Sequence, residues 1–178
     1  MRYFALTAMP FDNDGIVEWD VIIEKINSDL ANVYGNLVNR TIAMSNKYFG
    51  GIVENTGVTE AVDEDLKACA TSCYAKVAKN MDEYRIADAI GEIISLCRRA
   101  NKYIDETTPW VLAKNEDSLP RLKTVLYNLT ETITIATSLL QPFMPGSCAN
   151  ILGQLNTQMR DYDDLDKFGL YQSGNKVT

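Results

Sequence analysis

Apolar side chains return every third or fourth residue along most of this chain, the period a helix needs to present one continuous face to a core. From Trp19 to Tyr48 the series is Ile22, Ile26, Leu30, Val33, Leu37, Met44 and Tyr48, with Thr41 filling the missing turn. It predicts one amphipathic helix or two nearly collinear ones, with a break near Asn32 to Gly35, where Asn and Gly weaken a helix interior. Gly50 to Gly57 reads as a loop. A helix from Asp63 to Met81 aligns Leu66, Ala70, Cys73 and Val77, with Glu64 and Asp65 at the positive end of its dipole. The next, Glu83 to Ile104, turns Ile86, Ile90, Ile93, Cys97 and Ala100 inward and Asp88, Glu92, Arg98, Arg99 and Lys102 outward. Thr107, Thr108 and Pro109 mark a short capped turn of helix. A long helix from Ser118, with Pro120 in its opening turn, carries Leu122, Leu126, Leu129, Ile133, Ala136 and Leu140 down one side. Pro142 and Pro145 end it, Gly146 to Leu155 forms a last short helix, and Asp161, Asp163, Asp164 and Asp166 lie in solvent. No segment alternates with period two, and no repeat or glycine-rich phosphate loop occurs. The expected fold is all-α, a bundle of about five helices. Arg2 to Phe11, apolar and aromatic, needs a surface to lie on. The expected divisions are a linker over residues 1–17, a helical domain over 18–157 and an acidic tail over 158–178.

Of the 178 residues 46% are hydrophobic and 23% charged, an ordinary globular composition. No apolar run approaches the ~20 residues that cross a bilayer, and the start lacks a signal layout. A soluble, unexported, cytoplasmic protein is expected, with no membrane partner. Histidine is absent, so no Ser-His-Asp or Cys-His nucleophile, imidazole base or histidine-held zinc can form. Four cysteines, Cys69, Cys73, Cys97 and Cys148, include an i,i+4 pair without a second pair at ligand spacing, so no metal site is expected. The net charge of −7 disfavours bulk binding to polyanions, DNA included, so any nucleic-acid recognition must be local.

Two constellations have the chemistry for it. Asn36 and Arg40, spaced i,i+4, project from one helix face and offer several donors and an acceptor to a planar base edge; a solvated surface pair is the plainer reading. Trp110, just after Pro109 at a helix junction, offers either a stacking platform or a plug between helices. Between Arg98 and Lys123 six basic residues (Arg98, Arg99, Lys102, Lys114, Arg121, Lys123) stand against four acids, a locally basic collar on an acidic body.

The blocks Asp29-Leu30-Ala31-Asn32, Gly35-Asn36-Leu37-Val38-Asn39-Arg40, Ala100-Asn101-Lys102-Tyr103-Ile104-Asp105-Glu106, Pro109-Trp110-Val111-Leu112-Ala113-Lys114 and Leu139-Leu140-Gln141-Pro142-Phe143-Met144-Pro145 occur in order over most of the chain. Together they resemble the C-terminal anticodon-binding domain of the methionyl-tRNA synthetases, a helical bundle of the class I aminoacyl-tRNA synthetases. The resemblance implies recognition of the CAU anticodon of methionine tRNA, with Asn36 and Arg40 contacting bases, Trp110 stacking on one, and Asn101, Tyr103 and Asp105 shaping the same pocket. It also implies that no catalytic residue lies in this chain. The catalytic half with its HIGH and KMSKS motifs, and its ATP, magnesium and possible zinc, would belong to the parent ligase. Residues 1–17 and the tail would then face that catalytic domain, and this piece would be inactive alone. The anticodon domain of another class I synthetase, or a helical module binding protein through Trp110, are the competing readings.

Overall fold

The computed structural model describes residues 2–8 and 18–178. Its helices are α1 (Arg2–Ala8), α2 (Trp19–Lys25), a π-helical stretch (Ile26–Gly35), α3 (Asn36–Phe49), α4 (Ala61–Asp82), α5 (Ile86–Thr107), α6 (Pro109–Leu112), α7 (Leu119–Leu140) and α8 (Pro145–Gln154). The all-α bundle is as expected: α2 to α3 is one uninterrupted rod, and α4, α5, α7 and α8 complete the principal helices among the described residues. A two-residue strand β1 (Ile52–Val53) pairs antiparallel with β2 (Asn175–Lys176), too short for any alternation to show in the sequence. None of the described helices is long and apolar enough to cross a membrane.

Where a break was expected near Asn32 to Gly35, the helix widens instead. The Asn36 N–H reaches the Ala31 carbonyl five residues back, and the buried positions step from Asp29 to Tyr34, a spacing of five that an α-helix would place on different faces. Tertiary bonds hold this stretch. Asp29 accepts from the Tyr3 hydroxyl (2.9 Å) and Arg98 (2.7 Å) and pairs with Lys25 (2.8 Å), while the hydroxyls of Tyr34 and Thr137 bond at 2.7 Å. Tyr3 and Phe4 are buried on α1, which packs on α5, so the start of the apolar N-terminal segment has its surface. Residue 1 and residues 9–17 of the expected linker lie outside the described residues.

Helix α7 is the axis of the bundle. Its apolar stripe was expected on one side, yet every residue from Thr124 to Leu140 is buried. Hydroxyls make this possible: Thr130, Thr132, Thr134 and Ser138 each donate to the carbonyl four residues earlier, so polar side chains enter the core with their donors satisfied. Glu131, fully buried, accepts two bonds from Arg160 (2.7 and 2.6 Å) and one from each backbone N–H of Gly169, Leu170 and Tyr171 (3.0, 3.0 and 2.7 Å). This carboxylate fastens the tail to the bundle, while Asp161, Asp163 and Asp166 stay exposed as expected. Cys73, Cys97 and Cys148 are buried free thiols, and burial pushes Cys73 up to about 12 and Cys148 to about 11, which keeps them protonated and unreactive.

Candidate nucleic-acid interface

The junction of α5 and α6 builds one wall of the site. Thr107 is buried and its hydroxyl donates to the Tyr103 carbonyl (2.7 Å). Thr108 turns into the left-handed region (φ 42°), and Pro109 opens α6, where its missing N–H costs nothing. The expected threonine side-chain cap does not form; the turn closes through the backbone, the Val111 N–H donating to the Thr108 carbonyl (2.8 Å). Pro109 is buried and α6 packs on α7, so Trp110 is held at the surface with 43% of its area exposed. It does not plug the gap between the helices.

Helix α3 supplies the opposite wall. Asn39, Arg40, Ala43, Met44, Lys47 and Tyr48 line an open groove of about 310 Å³ that Trp110 closes on the other side. Arg40 Nη2 donates to Asp105 Oδ1 at 3.0 Å, with the arginine 30% and the aspartate 65% exposed. A single exposed ion pair contributes at most about 1 kcal/mol, so the guanidinium is free to exchange partners. Asn36 is exposed one helical turn before Arg40, but Asn39, its neighbour on the rod, lines the groove.

Of the six expected site residues, the structure thus brings Arg40, Asp105 and Trp110 together and sets Asn36 beside them. Tyr103 and Asn101 lie outside the groove lining. Two residues from Asp105, more than half a helical turn round, Tyr103 is fully buried; its hydroxyl donates to Asp63 Oδ1 (2.6 Å) and accepts from Asn128 Nδ2 (3.2 Å). Asn101 spends its amide N–H groups on the carbonyls of Val33 (3.0 Å) and Cys97 (3.1 Å) and lies outside the groove lining. Neither side chain is available to a base.

The basic collar is corrected, because its charges are already matched. Arg98 pairs with Asp29, Arg99 with Asp65 and Glu106, Lys102 with Glu106, Arg121 with Asp63 and Lys123 with Glu54. Of the six, Lys114 alone has no acidic partner among the described residues. Lys47, two turns beyond Arg40 on the groove, is likewise without one and lies 5.3 Å from the centre of the Tyr48 ring. Its i,i+7 spacing from Arg40 is the sequence signal that would have placed it on the same face.

Behind the site, Arg121 clasps Asp63 through two bonds (2.8 and 2.7 Å). Burial would raise the Asp63 carboxyl, but the bonds from Arg121, Tyr103 and the Glu60 N–H hold it below its ordinary 3.8. Burial, then the bond to Asp63, pushes the Tyr103 hydroxyl well above its usual range. That network anchors α5 to α4 and α7 and fixes the platform on which α6 is built. An exposed indole facing an arginine and an amide across a groove can stack one unpaired base and bond its edge, the usual way loop bases are read.

Comparison with known proteins places the chain in a family. Residues 53–175 match the family described as the anticodon binding domain of methionyl tRNA ligase, and residues 1–42 match the class I tRNA synthetases (M). The methionine–tRNA ligase of Clostridium tetani is 45% identical over 99% of this chain and 28% of that protein; that of Clostridium perfringens is 44% identical over 99% and 27%. The apo methionyl-tRNA synthetase of Mycobacterium tuberculosis superposes with a TM-score of 0.92 at 34% identity, over 99% of this chain and 36% of that one. The chain thus spans little more than a quarter of the length of the curated relatives it matches. With a helical bundle, a surface tryptophan on a Pro-Trp turn and a family match over most of its residues, the chain belongs to the anticodon-binding domains of the methionyl-tRNA ligases.

Proposed function

We propose that this domain reads the CAU anticodon of methionine tRNA within a longer ligase that attaches methionine to that tRNA using ATP. The observation that carries the reading is the half-exposed Trp110 ring facing Arg40 across the groove. Trp110 stacks on an anticodon base, Arg40 leaves Asp105 to donate to a base edge, and Asn36 or its neighbour Asn39 adds amide contacts. Adenylation and transfer fall to the parent's catalytic half, acting in the cytoplasm. ATP, magnesium and any zinc are assigned to that half as part of the same proposal. No reaction step is assigned to residues of this chain. Titration of the chain with anticodon stem-loops tests the reading. Preference for CAU over stem-loops altered at each anticodon position is expected; equal binding of all of them, or preference for another anticodon, would sink it.

A further inference from the structure

The rod that carries Asn36 and Arg40 is not wound evenly. Ten residues, Ile26–Gly35, are π-helical. A turn closed i→i+5 takes close to one residue more than an α turn, so this stretch sets α3 roughly two residues, on the order of half a turn, out of register with an all-α rod. Gly35 sits where the wide turn closes: a Cβ there would stand 2.9 Å from the Leu30 carbonyl oxygen. π-helical turns are rare and need support from outside the helix. Here that support includes Asn101 on α5, whose Nδ2 donates to the Val33 carbonyl as well as to Cys97 in its own helix. Only the amide NH₂ can serve two carbonyls, so the side chain has one possible orientation. Its Oδ1 is consequently buried with no hydrogen-bond partner among the described residues, so the orientation is set by the two carbonyls that the NH₂ serves.

We infer that Asn101 is a positioning residue: by bonding the Val33 carbonyl it holds the π-helical stretch in place, and the rotation this imposes aims Asn39 and Arg40 into the groove opposite Trp110. The inference rests on the anticodon-reading proposal and adds to it the origin of the alignment. Asn101 touches no base. It acts through the rod.

Asn101→Ala, and Asn101→Leu, which keeps the branched shape without the donor, test it in the 178-residue chain. Two readouts are taken: amide hydrogen exchange across residues 26–35, and the affinity ratio between a CAU stem-loop and one altered at a single anticodon position. Exchange is expected to quicken, and the ratio to fall, by about three- to tenfold, the range of one net hydrogen bond. Ile133→Val, a core truncation in α7, is the destabilised control and leaves the ratio unchanged. A ratio at the wild-type value in both variants overturns the inference, whether or not exchange changes. Trp110→Ala in the same titration separates the two ideas: if it too leaves CAU binding unchanged, the anticodon reading itself has failed, and if it weakens CAU binding, only the role of Asn101 has.

Discussion

Arg121–Asp63 and Arg40–Asp105 are the same pair of residue types in opposite surroundings, and α5 meets both. In the first, the aspartate is sealed, gripped through two bonds and shared with Tyr103 and a backbone N–H. In the second, one bond joins two partly exposed side chains at the edge of a groove. The sealed pair has no other partner to go to, since opening it would strand a charge in the core. The exposed pair loses almost nothing by opening, so its arginine can be lent to a ligand. Burial and bond count, not residue type, separate the sealed pair from the exchangeable one.

The largest effect should come from the sealed pair. Arg121→Ala is expected to cost about 3–5 kcal/mol of folding stability by leaving Asp63 buried and unmatched, measurable by urea unfolding; a loss no bigger than that of Arg40→Ala would erase the contrast. Acid sharpens the same distinction. Asp63 and Asp29 are both held below the ordinary 3.8, so their contribution is complete above that pH and disappears as pH falls through their lower folded values. Stability should therefore erode below about pH 3.8, and Asp63→Asn, whose side chain does not titrate, should show less of that erosion in an acid titration.

On the exposed side the losses move from folding to binding. Trp110→Ala should weaken a CAU stem-loop by about 1–3 kcal/mol while shifting unfolding by no more than about 0.5 kcal/mol. Arg40→Ala should remove about 1 kcal/mol of discrimination between anticodons; equal losses for matched and altered stem-loops would reveal a phosphate contact instead. Smallest of all, a double-mutant cycle on Arg40 and Asp105 should return a folding coupling of about 0.2–1 kcal/mol.

The sequence exposes the second region more readily than the first. Trp110 and Arg40 are visible because they sit in short local patterns, Pro-Trp and the i,i+4 pair. The sealed pair is invisible to such patterns: Arg121 and Asp63 are 58 residues apart, so their charges read as solvated until the fold joins them. The π-helical stretch is hidden for a related reason, since its spacing of five runs through Asp29, a polar residue that no apolar periodicity counts. The threonines of α7 fall outside the apolar stripe, and their burial is not legible because satisfaction by the carbonyl four residues back leaves no mark on composition. Tyr103 and Asn101 fall within a family-like block, but membership of a block does not say which side of the helix a residue occupies.

Glu131 also governs how the domain can be moved into another protein. A graft ended at residue 157 would leave a bare anion halfway along the central helix, with Arg160 and three amides removed from it at once. A transplantable form of the domain must therefore carry residues 158–178 as internal counter-charge and lid, although none of them lines the groove.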